Sequence, residues 1–216
     1  NIFYKVTNIE ISSLSIVIIF YSVVTFTAGI IIWFFFKDEI NEDNSESFIV
    51  SIKKIKKFYN VLVFQSLIVL SAYSAYKGID YYSQYFYEIL GYSKEKAAST
   101  MSNLAYLRPI CALCAGIIAD RISATKNSIY IFMILLTSFF ILSIGSITIS
   151  LNTLIIINII TSMISVFALR GIYFCYLKET NVPSSITGLS VGIISLVGFF
   201  PDIYIGPIFG YFLDNY

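Results

Sequence analysis

Ionisable side chains inside apolar stretches are the residues of this chain that could bind a solute or carry a proton. Tyr73, Lys77 and Asp80 are spaced so that they share one face of a helix. Arg108 lies in the middle of a stretch, residues 97–119, that is otherwise uncharged. A charge inside a membrane costs at least a few kcal/mol, so each of these residues needs a functional or a structural reason.

We expect Arg108, Lys77, Tyr73 and Asp80 to contact a substrate, with Arg108 as the best candidate. A guanidinium can hold a carboxylate or a phosphate through two parallel hydrogen bonds. The alternative for Arg108 is an internal salt bridge with an acid of a neighbouring helix. The alternative for Lys77 and Asp80 is that their side chains only reach to the membrane interface.

A second group of charges is expected to couple or gate movement. Asp202, together with Lys77 and Asp80, is predicted to pair across helices at the outer side, and Asp80 or Asp202 could instead carry a coupling proton. Arg121 lies beside Asp120 near the predicted inner surface. We expect an Asp120–Arg170 contact to hold one conformational state together, so that breaking it shifts the inward–outward equilibrium.

The last apolar stretch is predicted to contain a hinge at Pro201, Pro207 and Gly198. The two prolines lack backbone donors, which predicts that the carbonyls of Val197 and Ile203 lose their helical partners. A kinked helix that bends is therefore expected, the alternative being that the glycines only allow packing. Further glycines share a four-residue spacing that predicts close helix contact: Gly188, Gly192, Gly206 and Gly210.

The composition places these residues in a membrane protein. Of 216 residues, 57% are hydrophobic and only 12% are charged, whereas a soluble domain carries about 25% charged residues. The net charge of +1 gives no field that would attract nucleic acid, and the absence of histidine removes the commonest base and metal ligand. The three cysteines are interpreted as packing residues. We therefore expect no catalytic site, no metal, no cofactor and no nucleic-acid partner.

Six stretches are long enough to cross the roughly 30 Å hydrocarbon layer, which takes about 20 helical residues. Backbone groups in lipid need internal partners, so an all-α integral membrane protein is predicted. The predicted spans are 11–36, 58–80, 96–119, 127–147, 152–177 and 184–212.

Basic residues in the loops predict the orientation, because they concentrate on the cytoplasmic side. Eight lysines and arginines fall on one side and three on the other, which places both termini outside. The segment 37–57 is acidic in its first half and basic in its second, with apolar residues between the lysines. It is predicted to form a short amphipathic helix on the inner membrane surface, or else a solvated connector.

The segment 116–126, which reads G-I-I-A-D-R-I-S-A-T-K, resembles the G-x-x-x-D-R-x-G-x-x-K/R signature of the major facilitator superfamily, with Ser123 in place of a glycine. The segment 170–214 is similar to the end of bacterial sugar and organic-anion members. The resemblance implies a partial major facilitator fold, with helices six to eleven of twelve. It assigns residues 1–36 to the last helix of the N-terminal half, 37–57 to the cytoplasmic linker and 58–216 to a C-terminal half without its final helix.

The resemblance also implies a function. We expect secondary active transport of a small polar solute, such as an organic anion or a sugar derivative, by alternating access coupled to protons or another ion. The protein is expected to be a multi-pass monomer in the lipid of the bacterial cytoplasmic (inner) membrane. The alternatives are a membrane-embedded lipid-modifying enzyme and a non-transporting sensor or channel.

Overall fold

The computed structural model describes residues 13–35, 48–145 and 152–215, and every regular element in these ranges is an α-helix. The chain divides into two compact units, Asn1–Ser45 and Glu46–Tyr216. The boundary between them falls within the predicted linker 37–57. The acidic half of that linker, up to residue 46, lies outside the described residues.

The first unit contains helix α1 (Ser13–Phe35), whose side chains from residue 16 to residue 35 are all exposed. Three of its hydroxyl groups bond within the helix. The Ser22 hydroxyl donates to the carbonyl of the residue four positions earlier at 2.9 Å, and Thr25 and Thr27 do the same at 2.8 and 2.7 Å. An apolar surface with internally satisfied polar groups is what a helix needs in lipid.

The second unit contains ten helices in its described residues. Their bounds are α2 (Phe48–Lys57), α3 (Tyr59–Ile79), α4 (Tyr82–Glu88), α5 (Lys94–Ala105), α6 (Leu107–Ile122), α7 (Ala124–Gly145), α8 (Asn152–Ile172), α9 (Tyr176–Glu179), α10 (Ser184–Gly198) and α11 (Pro201–Asn215). Helix α2 carries the lysines of the predicted amphipathic segment, so the helical part of that prediction is confirmed.

Six helical stretches among the described residues are long and apolar enough to cross a membrane. They are Ser15–Phe35, Tyr59–Glu88, Lys94–Ile122, Ala124–Ile144, Thr153–Ile172 and Ser184–Asn215. The six predicted spans are thus confirmed in number and position, although the second and third are longer than predicted. The chain is an all-α membrane protein.

Three of the spans are each built from two helices, and in two of these three the second helix has a proline in its first turn. Pro109 is the third residue of α6, and Pro201 is the first residue of α11. Proline is tolerated there because the N–H it lacks would have no helical partner. The predicted kink at Pro201 is therefore present. The carbonyl of Val197 is not left unpaired as predicted, since it accepts a hydrogen bond from the Phe200 N–H at 3.2 Å.

Helix α8 forms the centre of the second unit and packs against α3, α6 and α7. Its buried face contains Ile159, Met163 and Leu169, none of which has exposed surface. A Cβ added at Gly171 would lie 2.9 Å from the Cα and from the carbonyl oxygen of Ala112, so the backbones of α6 and α8 touch at this point.

Helices α3 and α10 approach through a second glycine. A Cβ at Gly198 would lie 2.9 Å from the Cβ of Val69. The glycines predicted to mediate close contact by their four-residue spacing do not: nothing in the described structure lies within 4 Å of a Cβ built at Gly188, Gly192, Gly206 or Gly210. That prediction is wrong, because sequence spacing alone does not determine which face of a helix meets a neighbour.

The end of the molecule predicted to face the cytoplasm is held by what we call the inner-end junction, formed by Ser123, Ala124, Thr125 and Glu179. The Glu179 carboxylate accepts hydrogen bonds from the Ala124 N–H, from the Thr125 N–H at 3.1 Å and from the Thr125 hydroxyl at 2.6 Å. It therefore satisfies the free N–H groups in the first turn of α7.

Candidate functional site

Charged and aromatic side chains from four helices meet in one group, which we call the mid-span cluster. Its members are Tyr73, Tyr76 and Lys77 of α3, Arg108 of α6, Arg170 of α8 and Asp202 of α11. The three α3 residues share one face because positions three and four apart lie above one another on a helix. The proline-induced break before α11 places Asp202 opposite that face.

In one half of the mid-span cluster, opposite charges and hydrogen-bonding groups are paired. The Tyr73 hydroxyl donates to the two carboxylate oxygens of Asp202, at 2.9 Å to Oδ2 and 3.1 Å to Oδ1. Lys77 Nζ lies 3.0 Å from Asp202 Oδ1 and 3.7 Å from Asp80 Oδ2. The predicted pairing of Lys77 with Asp202 across helices is confirmed, and Asp80, the residue directly after α3, adds a longer contact with Lys77.

The other half contains two guanidinium groups that face aromatic rings. Arg170 Cζ lies 3.8 Å from the centre of the Tyr76 ring, and Arg108 Cζ lies 5.3 Å from the same centre. Arg108 Cζ is also 5.3 Å from the centre of the Phe167 ring. Within residues 13–35, 48–145 and 152–215, no carboxylate forms an ion pair with either guanidinium. The internal salt bridge considered for Arg108 is not among the described contacts.

The mid-span cluster is accessible on the surface of the second unit. Arg108 is exposed, and the side chains of Asp202 and Lys77 retain 48% and 29% of their accessible surface. These groups are therefore not enclosed by the helices of the second unit. The three cysteines do not contribute to the cluster, and all three are free thiols.

The predicted contact between Asp120 and Arg170 is absent. Gly171 lies against Ala112, and Asp120 follows Ala112 by eight residues, which is about 12 Å along a helix. Asp120 and Arg121 are both exposed near the end of α6, away from the mid-span cluster. This structure therefore contains no direct Asp120–Arg170 contact, and the gating role of these residues stays a prediction.

Two aromatic residues of the site were not predicted from the sequence. The ring of Tyr76 contacts both guanidinium groups, and the ring of Phe167 contacts the guanidinium of Arg108. Tyr76 is not among the residues that the sequence predicts to contact a substrate. Its position three residues after Tyr73 was the available signal, because such residues lie on the same side of a helix.

A separate cavity of about 760 Å³ lies between α3, α7 and α11. It is lined mainly by apolar side chains, including Leu70, Leu135, Phe139 and Phe209, with the tyrosines Tyr81, Tyr82 and Tyr85 at its wall. None of the six residues of the mid-span cluster lines it. A charged or strongly polar solute would find few partners there, so the cluster is the better candidate for polar recognition.

Comparison with known proteins gives one informative relative. The chain is 28% identical over 223 residues to the inner membrane protein YqcE of Escherichia coli (strain K12). The similarity covers 94% of this chain and 50% of the relative, so the chain spans about half the length of the curated protein it matches. No family model matches the sequence, and no solved structure matches it.

These findings correct one prediction and confirm another. The assignment to the major facilitator superfamily is contradicted, because no family model matches and the relative is described only as an inner membrane protein. The numbering of the spans as helices six to eleven of twelve falls with it. The predicted location is confirmed by the relative and the six spans: the chain is a multi-pass inner membrane protein.

Proposed function

We propose that this chain forms part of a carrier that moves a small polar solute across the inner membrane. The observation that carries the proposal is the mid-span cluster. Charges are costly inside a membrane and are usually kept there for a passage or a relay. Six polar and aromatic side chains from four apolar helices converge in this group, on an accessible face.

The paired half of the cluster supports transport by alternating access. The contacts of Asp202 with Tyr73 and Lys77, which connect α11 to α3, are made by side chains alone. Such contacts can be exchanged as helices shift, whereas a backbone contact such as that at Gly171 cannot. We propose that Asp202 also accepts the coupling proton, since protonation would remove its ion pair with Lys77 and loosen α11 from α3.

Solute counterflow in proteoliposomes made with the full-length protein tests the proposal. Vesicles are loaded with one unlabelled solute at a time, and uptake of the same labelled solute is followed. Saturable, solute-specific counterflow is expected, and it should respond to an imposed proton gradient. Ohmic conductance without saturation would indicate a channel, and absence of any flux would contradict a carrier.

A further inference from the structure

We infer that the solute is a small anion with two negative charges, bound between Arg108 and Arg170 beside the Tyr76 ring. The inference rests on the proposed function, since it names the solute of the same cluster. Nothing in the sequence distinguished Arg170 as a binding residue. The structure does, because it brings the Arg170 guanidinium to within 3.8 Å of the centre of a ring that Arg108 also approaches.

The two guanidinium groups are close enough to share one small ligand. Their central carbons lie 3.8 and 5.3 Å from the same ring centre, so they are at most about 9 Å apart, a distance that two bidentate contacts to one small dianion can bridge. Planar guanidinium groups prefer carboxylate and phosphate oxygens, and they also stack on aromatic faces. The Tyr76 ring thus holds both groups in place while leaving their N–H donors available.

Charge balance points to a dianion. Lys77 has Asp202 and Asp80 as partners, but Arg108 and Arg170 form no ion pair with any carboxylate in the described part of the chain. Two like charges this close repel each other, and the repulsion grows in the low dielectric of a membrane protein. A ligand with two negative charges would neutralise both groups and remove the repulsion, whereas a neutral sugar would do neither.

The helix packing fixes the spacing of the two arginines. Arg170 is adjacent to Gly171, whose backbone contacts Ala112 of α6. Arg108 precedes Ala112 by four residues, so it lies on the same face of α6 as that contact. Both side chains therefore start from one rigid contact between α6 and α8, and such pre-organisation lowers the entropic cost of binding a ligand.

Equilibrium binding to the full-length protein in nanodiscs tests the inference. The probes are inorganic phosphate, succinate, acetate and glucose, so that phosphate and dicarboxylate sources are separated from a singly charged anion and a neutral sugar. We expect at least one of the two dianions to bind, and acetate to bind at least about tenfold more weakly than that dianion. Arg108→Gln and Arg170→Gln should each weaken binding of that dianion by about tenfold or more. The loss of affinity in the double variant should be smaller than the product of the losses in the two single variants, because both groups hold one ligand.

Lys178→Gln is the control, since Lys178 is an exposed cation of α9 outside the cluster, and this variant should bind like the unmodified protein. Thermal unfolding of each variant separates lost binding from lost fold. Where a glutamine variant does not fold, the lysine variant decides: it keeps the charge without the planar fork, so the preference for a dianion over acetate should persist at lower affinity. Loss of that preference in a folded lysine variant would contradict the inference.

Other outcomes separate the two proposals. Equal affinity for acetate and the dianions, or unchanged affinity in a folded Arg170→Gln variant, overturns the dianion site. If a neutral or cationic solute shows counterflow while no dianion binds, the site assignment fails and the carrier function stands. If dianions bind through both arginines but no solute crosses the vesicle membrane, the carrier function fails and the binding site stands.

Discussion

The mid-span cluster and the inner-end junction both connect different helices through charged side chains, but those side chains find different partners. At the junction, Glu179 accepts hydrogen bonds from two backbone N–H groups and one hydroxyl. In the cluster, Arg108 and Arg170 meet aromatic rings, and only Lys77 and Asp202 find opposite charges.

The contrast indicates two different roles. A carboxylate that satisfies the start of a helix stabilises the fold, because its partners are fixed parts of the backbone. Guanidinium groups with available donors contribute little to folding and are suited to an external anion. Substitutions at the junction should therefore change stability and leave solute binding intact, and substitutions in the cluster should do the reverse.

The largest effect is expected for Asp202→Asn, which breaks the paired half of the cluster. Tyr73 and Lys77 lose their anionic partner, and the proposed proton carrier is removed. Proton-driven transport should fall by about tenfold or more. Because the carboxylate is about half exposed, the stability of the fold should change little.

Flux driven by a proton gradient and thermal unfolding measure these two quantities. Asp214→Asn, near the end of the same helix, is the matched control and should transport normally. Unchanged proton-driven flux in Asp202→Asn would remove Asp202 from the coupling role.

Glu179→Gln should act on the junction alone. It removes the charge that faces the first turn of α7, and the free energy of unfolding should fall by about 1 kcal/mol. Affinity for the solute should not change, because Glu179 has no contact with the mid-span cluster. Thermal unfolding in detergent and equilibrium binding test the two halves of the prediction, and a loss of affinity without a loss of stability would contradict the separation of roles.

The same residue predicts a pH dependence of stability. Partial burial by itself would raise the pKa of Glu179, but hydrogen bonds from the Thr125 hydroxyl and from the N–H groups of Ala124 and Thr125 outweigh it, and the pKa lies below its ordinary value of 4.5. A depressed pKa in the folded state means that this stabilisation is complete above 4.5 and is lost as the pH falls through the folded value. Unfolding profiles from pH 7 down to pH 4 and below should show the difference between Glu179→Gln and the unmodified protein shrinking at low pH.

A smaller effect is expected for Tyr76→Leu, which removes the ring that both guanidinium groups face. Cation–π contacts at exposed sites contribute about 0.5–1 kcal/mol, so affinity for the dianion should weaken by about two- to fivefold. Tyr211→Leu on the exposed surface of α11 is the control. If the Tyr76→Leu variant binds with full affinity, the ring does not position the arginines.

The smallest effect, of the opposite sign, is expected at the junction. Ser123 has a φ of 105°, in the region that favours glycine. Ser123→Gly relieves that strain but loses the bond that the Ser123 hydroxyl accepts from the Lys126 N–H at 3.3 Å, and it makes the unfolded chain more flexible. A net gain of about 0.5 kcal/mol is expected. A lower unfolding temperature would mean that the hydroxyl contact outweighs the strain.

The spans could be predicted from the sequence because each depends only on a local property, a run of apolar residues long enough for lipid. The same holds for the break before Pro201, which follows from the missing N–H. The pairing of Lys77 with Asp202 was also predictable, since few opposite charges were available inside the membrane.

Contacts between helices could not be predicted in this way. The Asp120–Arg170 contact is absent from this structure because the relative height of α6 and α8 depends on the Gly171–Ala112 approach, which no local pattern encodes. Tyr76 was undervalued for the same reason: its importance comes from Arg170, a residue 94 positions later in the sequence. The close helix contact predicted from the four-residue glycine spacing is absent, because the spacing marks a possible contact face but does not supply a partner for it.

The join between α10 and α11 has a mechanical consequence. Gly198 anchors the end of α10 against Val69 of α3, and α11 starts three residues later. Because α11 is about 22 Å long, a tilt of about 10° at this point would move its far end by about 4 Å and Asp202 by only about 1 Å. The far end of the helix could thus move while the carboxylate stays within reach of its partners. Helix α11 would then pivot close to Asp202. Distances between spin labels at residues 213 and 164, with and without solute, would show whether the far end moves in this way.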